Sequence, residues 1–418
     1  MAAVCSNISK GARHDESVGS APNRQLSSMA KRLPSRRQTG PPSNSRASKK
    51  RPTLRRSTKS GQHKGRPKRS APSGGTPNLW VGTALPGLED LLKGELDRRF
   101  KDHVTHVPHS KGGECHFVFG GRSRALLSLR LCHVLSLRRD FRVARPRTLL
   151  SPEHLAAIVS DLKTVMEVTP AEKFTGLRLD AAGSDSPTMQ RLGSQIAEKL
   201  SLPFANDTGD LVLALRPGET GWEVLSRVGA RPLGTRAWRK VNYRGSLSGT
   251  VAAALVELSR PAPGDRFLNL MCGSGSILIE RLKWGRAKMM VGVDNIPQAL
   301  DASKHNSTAA GLRDRIKLLR ADTRALPFAE ASFDRLCADL PWGQSIGTRE
   351  PNISLYRDTF AEAHRICRRR GKFVVLTQDH RSLDALEGVV ERGWRLLGER
   401  SFAQRGFRSR CRVYERSD

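Results

Sequence analysis

Residues 267–280 read Phe267-Leu-Asn-Leu-Met-Cys-Gly-Ser-Gly-Ser-Ile-Leu-Ile-Glu280, an apolar run that meets two glycines and then a second apolar run. The first run predicts a buried strand and the second predicts a helix. Gly273 and Gly275 let the backbone turn sharply and approach a ligand, and the helix N-terminus offers free N–H groups to an anion. Leu278 stands where a dinucleotide-binding loop has its third glycine, which argues against a nicotinamide cofactor.

Two carboxylates follow the glycine loop at the ends of the next two predicted strands. Asp294 ends Val291-Gly-Val-Asp, and Asp322 ends Leu319-Arg-Ala-Asp. Because the carboxyl ends of parallel strands meet at one edge of a sheet, the three features are expected to lie close together. A carboxylate at 294 is placed for ribose hydroxyls and one at 322 for an adenine amine. Each Asp alone is also typical of a strand-end cap. The prediction of a nucleoside-binding pocket therefore depends on finding the glycine loop, Asp294 and Asp322 at three successive strand ends.

The motif Ala338-Asp339-Leu340-Pro341-Trp342-Gly343 comes at the end of the fourth predicted strand. An exocyclic purine amine is a poor nucleophile, because its lone pair is delocalised into the ring. The Asp339 carboxylate and the Leu340 carbonyl are predicted to hold its two N–H groups, so that the lone pair faces a methyl donor. Pro341 fixes the loop, and Trp342 offers a face for an extruded base. A structural turn is the alternative interpretation of the motif.

Strands and helices alternate regularly from residue 246 to the end. This alternation predicts a mostly parallel α/β sheet covered on both faces. Helices are predicted at Tyr356–Arg368 and Leu383–Arg392, and the last two strands, Arg395–Phe402 and Gly406–Tyr414, are predicted to form a hairpin. An antiparallel final hairpin is typical of methyltransferases rather than dehydrogenases.

An α+β domain is predicted at 78–235, before this sheet. Its strands include 79–84, 115–119 and 222–226, and its helices include a basic one at Arg124–Val134. His103, His106 and His109 recur every third residue in a predicted loop. They lack a Cys or acidic partner at metal-ligand spacing, so no metal site is predicted.

A basic connector, predicted at 236–249, joins the two halves. Basic and aromatic side chains alternate at its start, and this composition is typical of binding to a phosphate backbone and a stacked base. Packing of the aromatic side chains between domains is the alternative. The residues predicted to contact RNA are Arg231, Arg236, Trp238, Arg239, Lys240 and Arg244.

The chain of 418 residues carries 72 Lys and Arg against 40 Asp and Glu, a formal charge of +32. Such an excess indicates a polyanionic partner. Residues 1–77 hold 18 Lys and Arg but only two acidic residues and no aromatic residue, so this segment is predicted to be a disordered basic tail. Non-specific RNA affinity, a weakly functional extension and a targeting peptide are its three interpretations.

Cysteine usage and hydropathy bear on location. The seven cysteines form no C-x-x-C pair, which indicates a reducing compartment. No apolar run approaches the roughly 20 residues of a membrane span. We therefore expect a cytoplasmic protein that does not bind membranes, and a monomer.

The segment 268–280, the Asp-Leu-Pro-Trp-Gly motif and the later Val374-Val-Leu-Thr-Gln-Asp379 resemble the THUMP-domain guanine-N2-methyltransferases, above all those that modify guanine 6 of tRNA. The likeness extends to Ala84-Leu-Pro-Gly-Leu-Glu89 and to the segment 221–236, and so covers about residues 80–416. It implies a class I, Rossmann-like methyltransferase fold preceded by a ferredoxin-like plus THUMP unit. It also implies the cofactor S-adenosylmethionine, and a tRNA substrate gripped at its acceptor end. A small activating protein subunit, which some relatives need, is a further possible partner.

Transferred residue by residue, the resemblance implies that Asp339 and its loop hold guanine. It implies a cofactor-binding set made of Asn269, Gly273, Ser274, Gly275, Asp294, Asn295 and Asp322. Asn269 and Met271 depart from the family, which usually has Asp and Pro there, and Asp-Leu-Pro-Trp differs from the commoner Asn-Pro-Pro-Tyr. Guanine in ribosomal or other structured RNA is the alternative substrate. A non-catalytic RNA-binding protein that retains the fold is the alternative of another class.

Overall fold

The computed structural model describes residues 78–342, 349–404 and 406–417. The basic tail predicted at 1–77 lies outside these residues. The described chain contains two seven-stranded sheets, one in each half.

The first sheet has the strand order β2-β3-β1-β4-β7-β6-β5. Neighbouring strands are antiparallel except β5 and β6, which are parallel. Its strands are β1 (Leu79–Thr83), β2 (Val104–Val107), β3 (Glu114–Phe119), β4 (Val134–Phe141), β5 (Leu177–Ala181), β6 (Leu211–Pro217) and β7 (Trp222–Arg227).

Three helices accompany this sheet: α1 (Glu89–Phe100), α2 (Pro152–Val168) and α3 (Pro187–Leu200). A serine caps the N-terminus of each of the last two. Ser151 accepts a hydrogen bond from the His154 N–H and Ser186 from the Met189 N–H, and a proline follows each serine. Proline suits the first helical position because its φ is already helical and its missing N–H would have no partner there.

Two sequence-based predictions in this half are wrong. The predicted basic helix Arg124–Val134 is a short 3₁₀ turn, Ser123–Ser128, followed by β4. The histidine-bearing segment predicted as a loop contains β2, in which His106 binds the Asp97 carboxylate at 2.5 Å. The described residues contain no group of His, Cys, Asp and Glu arranged to hold a metal ion.

The second sheet has the strand order β10-β9-β8-β11-β12-β14-β13. The first five strands are parallel, and β14 pairs antiparallel with both β12 and β13. The predicted α/β class and terminal hairpin are therefore confirmed. The strands are β8 (Arg266–Leu270), β9 (Met289–Asp294), β10 (Lys317–Arg320), β11 (Phe333–Asp339), β12 (Cys367–Thr377), β13 (Trp394–Gln404) and β14 (Phe407–Arg416).

The described residues of this half form six helices: α4 (Gly249–Leu258), α5 (Ser276–Trp284), α6 (Pro297–Ala309), α7 (Arg349–Ile366), α8 (His380–Asp384) and α9 (Glu387–Val390). The predicted helix Leu383–Arg392 is in fact the two short helices α8 and α9. The helix predicted at Tyr356–Arg368 begins earlier, at Arg349, and ends at Ile366, where β12 follows directly.

Buried ion pairs join the two halves. Glu280 on α5 is 1% exposed and accepts hydrogen bonds from Arg130 at 2.6 and 2.8 Å and from Arg236 at 2.8 Å. Nearer the surface, Glu257 on α4 pairs with Arg98 on α1 at 2.5 Å. A buried carboxylate costs free energy unless it is paired, so Glu280 favours the arrangement in which both arginines reach it.

None of the helices described is both long and apolar enough to cross a membrane. The six cysteines among the described residues are buried free thiols.

Candidate active site

The glycine loop after β8 and the Asp339 loop after β11 lie side by side. β8 and β11 are paired neighbours, with Leu270 opposite Ala338, so the residues that follow them leave the sheet at the same edge. The strand order reverses between these two strands. A crevice opens at such a reversal, and it is where open α/β sheets bind their ligands.

Residues 271–275 form a loop with three left-handed positions. Gly273 has φ +52°, Gly275 has φ +80° and Met271 has φ +51°. Nothing lies within 4 Å of the place where a Cβ on Gly273 would stand, whereas a Cβ on Gly275 would overlap Ser303 Oγ. Gly273 therefore opens backbone to a ligand, and Gly275 permits close packing between the loop and α6.

Met271 occupies the position where the resembling family usually has proline. Its φ of +51° is closed to proline, whose ring fixes φ near −65°. The backbone conformation at this position therefore excludes the proline of the family.

Asp294 is joined to the glycine loop directly. One carboxylate oxygen accepts the Gly273 N–H at 2.8 Å and the other accepts the Ile296 N–H at 3.0 Å. Each oxygen keeps a further lone pair, so the side chain can still receive ribose hydroxyls. Asn295, the next residue, is exposed at the same strand end.

Asn269 and Asp322 lie less directly at the crevice. Asn269 is buried within the sheet, where its amide donates to the carbonyl of Cys337 at 3.1 Å, and its Oδ1 is buried without a partner in the described chain. Asp322 forms an ion pair with Arg324 at 2.6 Å, and that hydrogen bond lowers the pKa of the Asp322 carboxyl. Adenine contact by Asp322 stays a prediction.

Asp339 is the charged group of the second loop. Removal from water raises the pKa of Asp339 to about 7, against which a hydrogen bond from Trp342 Nε1 at 3.2 Å acts. Its Oδ2 accepts no hydrogen bond from any other described residue. A carboxylate with a free oxygen at the crevice is a ready acceptor for a donor on a substrate.

The backbone of the same loop is held on both sides of Leu340. The Leu340 N–H donates to the carbonyl of Leu376 on β12 at 2.9 Å, and the Pro341 carbonyl accepts from the Tyr356 hydroxyl. Leu340 is 1% exposed. Its side chain therefore packs in the hydrophobic core, and its backbone carbonyl is the group that can accept a hydrogen bond from a substrate.

A cavity of about 120 Å³ brings parts of the two loops together. It is lined by residues 243–247 of the connector, residues 271–274 of the glycine loop, Ser276 and Ile277 of α5, and Asp339. Two larger cavities, of about 620 and 660 Å³, are lined by residues at the opposite end of the strands, including Arg266, Met289 and Lys317. The smaller cavity is the candidate active site because residues of the glycine loop and Asp339 line it together.

The predicted RNA contacts of Arg236 and Trp238 are wrong. Both side chains are 6% exposed: Arg236 binds Glu280, Leu233 and Arg130, and Trp238 packs in the core. Arg239 is half-buried, and its guanidinium donates to Ser276 Oγ at 3.1 Å. Of the six residues predicted to contact RNA, Arg231, Lys240 and Arg244 are exposed.

The connector is fastened over the glycine loop. Asn306, fully buried on α6, accepts from the N–H groups of Lys240 and Val241 and donates to the carbonyl of Ser274 at 3.2 Å. Ser246 Oγ lies 2.9 Å from Ser274 Oγ. The sequence analysis did not select Asn306, Ser246 or Tyr356, because nothing in the sequence distinguishes them from the other polar residues of the same helices and connector.

Together, the parallel sheet with its terminal hairpin, the open backbone at Gly273 and the carboxylate at Asp339 define a class I methyltransferase that uses S-adenosylmethionine. The residues fit this cofactor, since Gly273 leaves space beside the loop and Asp294 stands at the next strand end. Residues 236–401 match the family described as UPF0020, RMKL-like, methyltransferase domain.

Two relatives show how far the similarity extends. The tRNA (guanine(6)-N2)-methyltransferase of Thermus thermophilus is 29% identical over 309 residues, which are 72% of this chain and 89% of that protein. The U6 snRNA (guanine-N(2))-methyltransferase of Bos taurus is 33% identical over 150 residues, 36% of this chain. The chain spans only 28% of the length of the bovine protein.

Among solved structures, TrmN from Thermus thermophilus has a TM-score of 0.63 and 24% identity, and the match covers 81% of this chain and all of that one. The fold is therefore shared over both halves of the described chain.

Proposed function

We propose that the protein transfers a methyl group from S-adenosylmethionine to the exocyclic N2 of a guanosine in tRNA, at position 6 of the acceptor stem. The observation that carries this proposal is the pairing of β8 with β11, which sets the Asp339 loop beside the glycine loop. The name of the Thermus thermophilus relative supports tRNA as the substrate and position 6 as the site.

In this proposal the chain's residues orient the guanine amine. Bound S-adenosylmethionine supplies an electrophilic methyl group. One N–H of the amine donates to Asp339 Oδ2 and the other to the Leu340 carbonyl, so the nitrogen lone pair faces the methyl carbon. Alignment of the amine nitrogen with the methyl group that the cofactor would supply accounts for most of the rate.

Asp339 also suits the proton transfer that follows. The methylated nitrogen must lose one proton, and a carboxylate whose pKa is about 7 is a better base than an ordinary aspartate. Exposed Arg231, Lys240 and Arg244 remain candidates for contact with RNA phosphates. Trp342 remains the candidate surface for stacking the extruded base.

The variant Asp339→Ala tests the role of the carboxylate. We expect methyl transfer to fall by about 100-fold or more, because alignment of the amine is lost, while the dissociation constant for S-adenosylmethionine changes little. Both are measured with labelled cofactor, by transfer to bulk tRNA and by equilibrium binding. Asp185→Ala, which removes an exposed carboxylate from the first half, is the control. Full activity of Asp339→Ala would refute the proposed role.

Guanine-N2 in another structured RNA is the second candidate, favoured by the name of the bovine relative. Incubation with tRNA, ribosomal RNA and U6 snRNA in separate reactions, followed by nucleoside analysis, distinguishes the two. N2-methylguanosine in tRNA alone supports the proposal, and its appearance in another RNA alone transfers the same chemistry to that substrate. Cofactor binding without transfer to any RNA would favour a binding protein or an enzyme that needs an activating subunit.

A further inference from the structure

Tyr356 lies behind the Asp339 loop and is hydrogen-bonded to it through its hydroxyl. The residue is on α7 and is fully buried. It belongs to an apolar cluster that contains Phe360 and Phe373, where a phenylalanine would pack equally well. A buried hydroxyl costs free energy unless it is hydrogen-bonded, so its two partners indicate what it does.

The first partner is the carbonyl of Pro341, which accepts the Tyr356 proton. The second is Thr377 Oγ1, 2.8 Å from the tyrosine oxygen, and Thr377 Oγ1 accepts the N–H of Asp379 at 3.0 Å. An amide N–H can only donate and a carbonyl can only accept. The direction is therefore fixed: the Asp379 amide donates to Thr377, Thr377 to Tyr356, and Tyr356 to Pro341. Hydrogen bonds aligned in this way strengthen one another.

The far end of this chain is itself fixed. The Asp379 carboxylate accepts from the backbone N–H of Ser382 at 3.2 Å, from its hydroxyl at 2.6 Å and from the Asn352 amide at 3.1 Å. The first of these bonds caps α8. Asp379 thus connects α7, β12 and α8, and the Tyr356 hydroxyl is held by a rigid part of the domain.

The hydrogen bond of the Pro341 carbonyl helps to fix the conformation of the Asp339 loop. The Pro341 ring fixes φ and leaves the residue without an N–H, so the carbonyl is its one backbone hydrogen-bonding group. On the other side, the Leu340 N–H is already bound to the Leu376 carbonyl. With both sides held, the Leu340 carbonyl has one orientation.

We propose that Tyr356 is a positioning residue for the methyl transfer: by holding the Pro341 carbonyl, it aims the Leu340 carbonyl and the Asp339 carboxylate at the substrate amine. This inference rests on the proposed function. Tyr356 itself touches neither substrate nor cofactor.

The variant Tyr356→Phe removes the hydroxyl and keeps the ring. We expect kcat to fall by about 10- to 100-fold, because displaced reacting groups lose alignment. The KM for RNA and the dissociation constant for S-adenosylmethionine should stay within about 2-fold. Tyr414→Phe is the matched control, since Tyr414 is a buried tyrosine of the same cluster that lies on β14, opposite Phe373. The control should keep wild-type kcat.

Two further measurements separate positioning from stability. Thr377→Val interrupts the series of hydrogen bonds one bond further from Pro341 and should lower kcat less than Tyr356→Phe does. Thr377→Ser keeps the hydroxyl and should have wild-type kcat. The pH–rate profile should also change: a loosened loop admits water to Asp339, so the acidic limb of Tyr356→Phe moves to lower pH. If Tyr356 contributed only to stability, the acidic limb of the pH–rate profile of Tyr356→Phe would lie at the wild-type pH.

Wild-type kcat in Tyr356→Phe, or an equal loss in Tyr414→Phe, would overturn the inference. If Tyr356→Phe does not fold, Thr377→Val decides: reduced kcat with rescue by serine supports the inference, and wild-type kcat overturns it. Absence of guanine methylation by the wild-type protein would instead refute the proposed function, so the two failures are distinguishable.

Discussion

At the scale of single residues, Asp339 combines a functional demand with a cost in stability. Its pKa is raised to about 7 because the carboxylate is withdrawn from water. In the unfolded chain an aspartate ionises near pH 4. Between these two values the folded protein holds a proton that the unfolded chain has released, so the free energy of unfolding falls as pH rises from about 4 to about 7.

This difference predicts that Asp339→Asn stabilises the protein while lowering its activity, since an amide oxygen still accepts an N–H but takes no proton. The advantage of the variant in unfolding free energy should grow between pH 4 and 7, reach at most about 4 kcal/mol, and stay constant above pH 7. Urea denaturation of both proteins across pH 4–9 measures it. An advantage that is the same at every pH would contradict desolvation of Asp339 as the cause.

Activity should have the opposite pH dependence. The carboxylate is the form that accepts the amine N–H, so the rate of methyl transfer should rise with pH through about 7. The residue is therefore most useful in the pH range where it stabilises the fold least.

Single residues also show what sequence alone can reveal of the site. Gly273, Asp294 and Asp339 were identifiable because each lies at or shortly after the end of an apolar strand, and strand ends converge in parallel sheets. Arg236 and Trp238 were misassigned, because a basic and aromatic composition does not show which partner a side chain meets. The carboxylate that binds Arg236 is Glu280, 44 positions away.

At the scale of elements, β8, β9 and β11 were predicted within one or two residues, because each is an apolar run that ends at or near Gly or Asp. β12 begins at Cys367, inside the predicted helix Tyr356–Arg368, so its first residues were missed. β4 was missed because its first residues follow a basic segment that has helical spacing. Its own pattern, Val134-Leu-Ser-Leu-Arg-Arg-Asp-Phe141, alternates buried Leu135 and Leu137 with residues of the other face, and that alternation was the available signal.

Helix α5 begins at the glycine loop, and its Glu280 binds Arg130 in the first half of the chain. Glu280→Gln would leave Arg130 and Arg236 beside a neutral amide. We expect the free energy of unfolding to fall by about 3–5 kcal/mol, as for other broken buried ion pairs. Urea denaturation measures this loss.

The control for that variant is Glu257→Gln, which weakens a contact between the same halves nearer the surface, where Arg98 is 38% exposed. It should cost about 1 kcal/mol or less. Equal losses in the two variants would show that burial of Glu280 is not what makes its ion pairs important.

At the scale of the whole molecule, half of the net charge of +32 lies in residues 1–77. Removal of this segment should weaken RNA binding and reduce the dependence of affinity on salt concentration, because fewer phosphates are neutralised. The rate at saturating RNA should not change. Binding titrations at several salt concentrations measure the effect.

A chain of full length with the 18 Lys and Arg of residues 1–77 replaced by Gln separates charge from length. It should behave like the truncated protein. An unchanged salt dependence in both would assign the RNA affinity to the body, where exposed Arg231, Lys240 and Arg244 are the first candidates.

The connector carries a consequence for how such a protein changes over generations. Its backbone is tied to Asn306 and Ser274 in the second half, and its Arg236 reaches Arg130 in the first. A chimaera assembled from two parents at this point would have to inherit matching partners on both sides of the splice. We therefore expect the two halves to evolve together. Exchange of sequence segments between related proteins should be tolerated more often within loops of either half than at the connector between them.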